Sequence, residues 1–344
     1  MSGPSLDELG WSSSWQTEFE PYAERGLAPA RVAVQHRGEY VLYTDHGEVR
    51  ARLSGRLSHE ALDTSELPAV GDWVAVRERR IEAVLPRRTK FSRKVVSKES
   101  VEQVLASNVD TVFVVAATTP APDLRDLERY LTTAWDSGAT PAVVVTKIDL
   151  GALDTPIETV ALGVPIHPLS ALTGEGVEQL EPYLQTGQTI VLLGPSGVGK
   201  STLVNFLYGE ELLATREVDA EGEGRHTTTR RELIQLPNGA LVIDTPGLRE
   251  LQVFGDDGLS DAFEDIEQLA TDCRFRDCRH AVEPGCAVRA AIEDGRLDAE
   301  RLESMRHLER ELERVAARYD RRVREERKRR WKAIAIANRR RTIY

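Results

Sequence analysis

Cysteine is scarce in this chain: there are three in 344 residues, and all fall between positions 273 and 286. An odd, clustered set argues against a disulfide framework. No apolar run is long enough to cross a bilayer, which excludes a membrane-spanning class and a membrane partner. The opening stretch, MSGPSLDELGWSSSW, has neither a basic start nor an apolar core, so it is no secretory signal. These absences read as a cytoplasmic protein. Positive charge is also in deficit. The chain has 45 Lys and Arg against 56 Asp and Glu, a net −11 that taken whole argues against nucleic-acid binding. The deficit is uneven, because Arg318 to Tyr344 holds twelve Lys or Arg and three acids, +9 against −20 for the rest. Hydrophobic content of 41% is ample for real cores, and the length suits two or three domains.

The most informative stretch is Gly194-Pro195-Ser196-Gly197-Val198-Gly199-Lys200-Ser201-Thr202, which fits G-x-x-x-x-G-K-[ST]. The apolar run Thr189 to Leu193 before it reads as a buried strand. Leu203 to Tyr208 after it reads as a helix that Gly209 ends. Glycines let the backbone curl until several N–H groups converge on one anion, and the helix N-terminus adds partial positive charge. Lys200 then reaches the β and γ phosphates, and the Ser201 hydroxyl is placed to bind Mg²⁺.

Three further pieces select the nucleotide. Asp244-Thr245-Pro246-Gly247 follows the strand-like Ala240 to Ile243; Asp244 suits the Mg²⁺ shell and the Gly247 N–H suits a γ-phosphate. Thr146-Lys147-Ile148-Asp149 follows Ala142 to Val145. The Asp149 carboxylate can accept from the two N–H groups on guanine's Watson–Crick edge, while the Lys147 stem covers the base. Ser170-Ala171 follows Val164 to Leu169 and offers the Ala171 N–H to guanine O6. With the P-loop, these favour GTP and GDP over ATP.

Cys273-x4-Cys278-x-His280-x5-Cys286 uses every cysteine of the chain. Three thiolates and one imidazole suit a closed, structural, tetrahedral Zn²⁺ site; buried free thiols or a redox pair are the other readings. Ala287 to Asp294 reads as a short helix. Leu302, Met305, Leu308, Leu312, Val315, Tyr319 and Val323 recur at helical spacing on a longer one. Trp331 sits within Arg327 to Lys332, a basic arm suited to RNA, with a solvated face as the alternative.

In chain order, residues 1–30 are expected to be a loosely packed tail, despite Trp11, Trp15, Phe19 and Tyr22. Residues 31–88 read as five short strands, an OB-fold barrel first and an SH3-like barrel second, with an arginine-rich surface. Pro86 to Lys94 is a basic connector, either a phosphate contact or a linker. Residues 89–256 alternate strand and helix as a parallel sheet does, with Asp123 capping a helix to Ser137. Residues 257–344 hold the zinc motif, helices and basic tail. The fold class is therefore multidomain: an N-terminal OB-fold β-barrel, an α/β P-loop GTPase domain and a C-terminal zinc-binding α-helical domain.

Glu221 to Arg230 is Gly-rich, charged and without apolar period, and lies where a nucleotide switch loop belongs. Many GTPases place a Gln after D-x-x-G to orient water, but here that residue is Leu248. His226 is the replacement candidate for catalysis, with RNA contact or a solvent-facing role as the alternatives. D-x-x-G runs directly into the zinc module, so a change at Gly247 is expected to shift that module against the barrel.

These boxes are the usual GTPase set in rotated order, with the base-reading pair ahead of the P-loop, and so resemble the circularly permuted GTPases. Together with barrel, cysteine motif and basic tail, the chain resembles the ribosome small subunit-dependent GTPase A family over residues 31–341. The resemblance implies an OB-fold, a zinc site on the three cysteines and His280, GTP hydrolysis, late maturation of the small (30S) ribosomal subunit, and contact with its rRNA. It also points to Thr228, then Thr227, as the switch residue on Mg²⁺. Thr146 departs from the usual Asn, which bears on affinity more than on specificity. The chain is expected to be a monomer. The rival reading is an RNA-binding assembly module that uses GTP only as an ordering ligand. A P-loop ATPase or kinase is a weaker one.

Overall fold

The computed structural model describes residues 4–36, 38–61, 64–96, 100–209, 231–244 and 257–314. The first departure from expectation comes at once. Ser13–Ala23 is a helix, α1, with Trp15 and Phe19 at i, i+4 both buried. Leu9 is fully buried beside them, and the Trp11 ring meets Trp73 edge-on at 4.7 Å. The expected loose tail is therefore corrected: its aromatics form an apolar helix stripe that seals onto the protein body.

Strands β1 (Ala28–Gln35), β2 (Tyr40–Thr44), β3 (Gly47–Leu53), β4 (Trp73–Arg77) and β5 (Arg80–Val84) close a ring. The pairs run β1–β2, β2–β3, β3–β5, β5–β4 and β4–β1, with only β3–β5 parallel. A short helix, α2 (Gly55–Glu60), crosses between β3 and β4, capped by Ser54 whose hydroxyl accepts from Leu57 N–H. This is the OB-fold. Ala30, Val32, Tyr40, Leu42, Ala51, Val74 and Ile81 fill its interior.

The basic connector is not a linker. Lys90–Val96 (β6) and Ser100–Ser107 (β7) form an antiparallel hairpin. Arg87 forks onto buried Asp72 at 2.8 and 2.7 Å and also donates to Leu67 O. Arg88 stacks on Trp15 at 3.9 Å. These two arginines hold the fold together. Arg31, almost fully buried, reaches from the barrel to Asn108 O (3.1 Å) and Thr189 Oγ1 (2.8 Å).

The second body is a sheet built from β8 (Thr111–Ala117), β9 (Thr140–Thr146), β10 (Ile166–Pro168), β11 (Thr189–Leu193), β12 (Glu232–Gln235) and β13 (Leu241–Asp244). Its order is β10-β9-β8-β11-β13-β12, parallel except for β12. Alternation splits each strand between two cores: Val112 and Val114 face one, Phe113, Val115 and Ala117 the other. Helix α3 (Leu124–Asp136), capped by Asp123, covers the first face with Leu127 and Leu131. Helix α4 (Lys200–Tyr208) covers the second with Leu203 and Val204. Each such leucine contributes about 2 kcal/mol on burial. One bridge, Val34 to Glu232, joins β12 to the barrel, so all eleven strands form a continuous sheet.

Helices α5 (Asp257–Ala262), α6 (Glu264–Ala270), α7 (Ala287–Glu293) and α8 (299–314) enclose a separate core with Phe263, Ile266 and Val288. The expected stripe of Leu302, Met305, Leu308 and Leu312 faces it; Val315, Tyr319, Val323 and the basic tail with Trp331 lie outside the described residues. Among the described residues no helix is long and apolar enough to cross a membrane.

Candidate functional site

The C-terminal ends of β9, β10, β11 and β13 meet at one edge of the parallel sheet, where α/β folds gather their ligand loops. The loop after β11 is the glycine-rich stretch. Gly194 adopts φ 144°, and a Cβ there would lie 2.3 Å from Val115 O. Gly199, at φ 94°, is the residue before α4, so the loop turns straight into the helix start. Pro195, Ser196 and Gly197 are exposed, while Val198 is buried and pins the loop. Ser201 and Thr202 lie in the first turn of α4. Lys200 Nζ donates to the carbonyls of Gly194 (2.7 Å) and Pro195 (2.5 Å), which holds the ammonium across the loop. Asp244 is the last residue of β13, the parallel neighbour of β11, so its carboxylate arrives at the same edge.

Thr146 ends β9 and is buried. Its hydroxyl faces Ala116 O (3.0 Å) and Val198 O (2.5 Å), with one proton to give to either. Lys147 takes a left-handed φ of 62°; its carbonyl accepts from Thr118 Oγ1 (2.7 Å) and its ammonium donates to Thr119 O (3.0 Å). Ile148 and Asp149 enter a 3₁₀ turn that leaves Asp149 exposed. After β10, the Ser170 hydroxyl is buried and accepts from the N–H groups of Leu172 (3.3 Å) and Thr173 (3.2 Å). Ser170 thus shapes the turn that carries Ala171. The base-reading loops and the P-loop come together at this edge in spite of their rotated order. Thr118 was the residue that sequence missed here, since a lone Thr after a strand carries no signal.

His226, Thr227, Thr228, Gly247 and Leu248 lie outside the described residues.

The second cluster is Cys273, Cys278, His280 and Cys286, whose ligand atoms all lie within 4.8 Å of one another. Cys273 Sγ is 3.6 Å from His280 Nδ1 and 3.9 Å from Cys286 Sγ, and His280 Nδ1 is 3.4 Å from Cys286 Sγ. Bonds of about 2.3 Å to sulfur and 2.0 Å to nitrogen give tetrahedral edges of about 3.5–3.8 Å, so one metal ion fits. Burial, and then nearby Arg306, lowers the His280 pKa, which favours the neutral ring a metal needs. Arg306 also donates to His280 O at 2.7 Å, and the Cys286 sulfur accepts from Arg289 N–H at the start of α7.

A family profile described as RsgA GTPase matches residues 84–254. The Small ribosomal subunit biogenesis GTPase RsgA of Opitutus terrae is 46% identical, and the match covers 96% of each chain. Among solved structures, YjeQ from Thermotoga maritima superposes with a TM-score of 0.64 at 26% identity, over 83% of this chain and 98% of that one. YloQ, described as a circularly permuted GTPase, shares the fold at TM-score 0.60 and 23% identity, over 84% and 96%. A nucleotide edge assembled in permuted order, and near-complete overlap with the Opitutus terrae protein, place the chain in the RsgA GTPase family.

Proposed function

We infer that this protein hydrolyses GTP to GDP and phosphate in the biogenesis of the small ribosomal subunit. The observation that carries the reading is the Thr146–Val198 contact, which joins a guanine-type loop to a P-loop on one sheet edge. The Opitutus terrae relative, matched over nearly its whole length, bears the corresponding name.

In this reading the amides of Gly194 to Gly199 and the Lys200 ammonium hold the phosphates. Asp149 reads guanine, Lys147 covers the base, and Ala171 N–H meets O6. Ser201, Asp244 and Thr228 supply oxygens for Mg²⁺, which when bound neutralises charge on the β and γ phosphates. Gly247 N–H meets the γ-phosphate. Water attacks the γ-phosphorus in line as the bond to the β–γ bridging oxygen breaks, and His226 takes the water proton. The Cys273, Cys278, His280 and Cys286 set holds Zn²⁺, the metal that a Cys3His set favours, and its role is structural. The barrel begins with β1 at Ala28, with α1 packed on the body ahead of it, and boundaries at residues 89 and 257 separate the barrel, GTPase and zinc-binding modules. The barrel and the basic tail contact small-subunit rRNA, and the protein acts as a cytoplasmic monomer.

Phosphate release from GTP, with and without purified small subunits, tests this for the native chain and His226→Ala. Stimulated turnover in the native chain, lost in the variant with GTP affinity kept, is expected. Guanine-nucleotide binding without turnover in either condition would replace it by a non-hydrolysing assembly factor.

A further inference from the structure

Thr118 is the first residue past β8. That strand runs parallel between β9 and β11, so Thr118 lies on the nucleotide edge between the guanine-type loop and the P-loop. It is 8% exposed. Its N–H donates to Thr146 O (3.0 Å) and its hydroxyl to Lys147 O (2.7 Å). The next residue returns the grip, since Thr119 O accepts from Lys147 Nζ at 3.0 Å. Three bonds thus tie Thr118-Thr119 to Thr146-Lys147.

The bond from the hydroxyl has a consequence beyond its two ends. Lys147 holds a left-handed φ of 62°, which a non-glycine residue keeps where its surroundings over-determine it. Its carbonyl also accepts from Leu150 N–H at 2.9 Å, closing the 3₁₀ turn over Ile148–Leu150. One oxygen therefore serves both the Thr118 hydroxyl and the turn that carries Asp149. Toward the loop after β10 the same turn is tied by a longer bond, Ile148 N–H to Leu169 O at 3.5 Å. The direction of the Asp149 carboxylate follows from where the Lys147 peptide points.

We propose that Thr118 is a positioning residue for guanine: its hydroxyl fixes the Lys147 peptide and, through it, the aim of the Asp149 carboxylate at the base. The proposal rests on the guanine reading of that loop given above. Its effect is selective. Guanine offers the carboxylate two donors, the ring N1–H and the exocyclic amine, whereas hypoxanthine offers N1–H alone. Loss of aim therefore costs guanine more than hypoxanthine. The phosphate contacts on the P-loop are common to both nucleotides.

The test measures affinities of the full chain for GDP and inosine diphosphate by titration, for the native protein, Thr118→Val and Thr118→Ser. Valine keeps the shape and deletes the hydroxyl; serine keeps the hydroxyl. The native chain is expected to prefer GDP by about tenfold or more, the worth of one hydrogen bond to a charged group. Thr118→Val is expected to lose about tenfold for GDP and about twofold for inosine diphosphate, so that the preference shrinks about fivefold. Thr118→Ser is expected to keep the native preference. If the valine variant does not fold, Thr118→Cys, whose thiol is a weak donor, is read in its place. Equal losses for the two nucleotides, a serine variant that behaves like the valine one, or a native chain that does not tell the two apart would overturn the proposal. A native chain that binds ADP as tightly as GDP would remove the guanine reading itself, and the proposal with it.

Discussion

The Thr146 hydroxyl contacts the Val198 carbonyl across 52 residues of sequence, at a position where both residues are buried. A short side chain in place of the usual Asn is therefore the strut between two loops. Thr146→Val keeps the shape and deletes the hydroxyl, leaving two buried carbonyls without that donor at about 1–3 kcal/mol. GDP and GTP affinity should both fall about tenfold by titration. Preference for guanine over adenine should persist, because Asp149 is untouched. Unaltered affinity would show that the strut carries no load.

Asp149 stands exposed at the 3₁₀ turn after β9, as an acceptor-only group must if it is to meet a base edge. Asp149→Asn turns one acceptor into a donor. GTP affinity should drop by about 10- to 100-fold, from losing a hydrogen bond to a charged group. Affinity for xanthosine triphosphate, which carries a carbonyl where guanine carries an amine, should rise. A competition assay between the two nucleotides reads both changes.

The four-residue metal cluster predicts one metal ion per chain by elemental analysis, lost on Cys278→Ser. Cys286 both belongs to the cluster and accepts from the first turn of α7. Metal loss should therefore loosen α7 together with α5, α6 and α8, the helices that share its core. A strong chelator should lower the helical signal while GDP still binds, since no ligand of the cluster lies on the nucleotide edge. Full helical signal after complete metal removal would contradict a structural role.

Burial raises the Glu128 pKa above its ordinary value, although Ser304 and Arg301 oppose the shift. A carboxyl raised on folding stabilises the fold below its unfolded value, about 4.3, and that contribution is lost as pH rises through the folded value. Glu128→Gln cannot titrate. Melting temperatures of the native chain and the variant should therefore diverge in favour of the native chain as pH falls toward the unfolded value, by about 2–4 °C for each kcal/mol. A difference independent of pH would mean that the carboxyl does not titrate in this range. Arg301 donates to it, and the nearby Asp265 charge pushes its pKa further up.

Much of the nucleotide edge was legible because its parts are local. Thr189 to Leu193 is a strand to the residue, Asp123 caps α3, and Gly209 ends α4 in a left-handed turn. Each rests on chemistry within a few positions. What escaped was long-range. Arg31, Arg87 and Arg301 give no local signal of their burial, because nothing near them in sequence names the carbonyls and carboxylates that bury them. The β6–β7 hairpin was hidden by its charged residues, which look like a linker when the partner strand is unknown. Trp15 and Phe19 were in view, but one turn and a half of apolar stripe is too short to declare a helix without the surface that receives it.

The Val34–Glu232 bridge makes the barrel a lever. Glu232 and its neighbour Arg231 follow directly on the stretch proposed to carry His226 and Thr228, and Tyr43 steadies the next residue by donating to Leu233 O at 3.3 Å. Hydrogen-bonded strands are stiff along the ladder. The barrel and the residues that follow that stretch therefore share one backbone pair, so a displacement of one strand is felt first at the other.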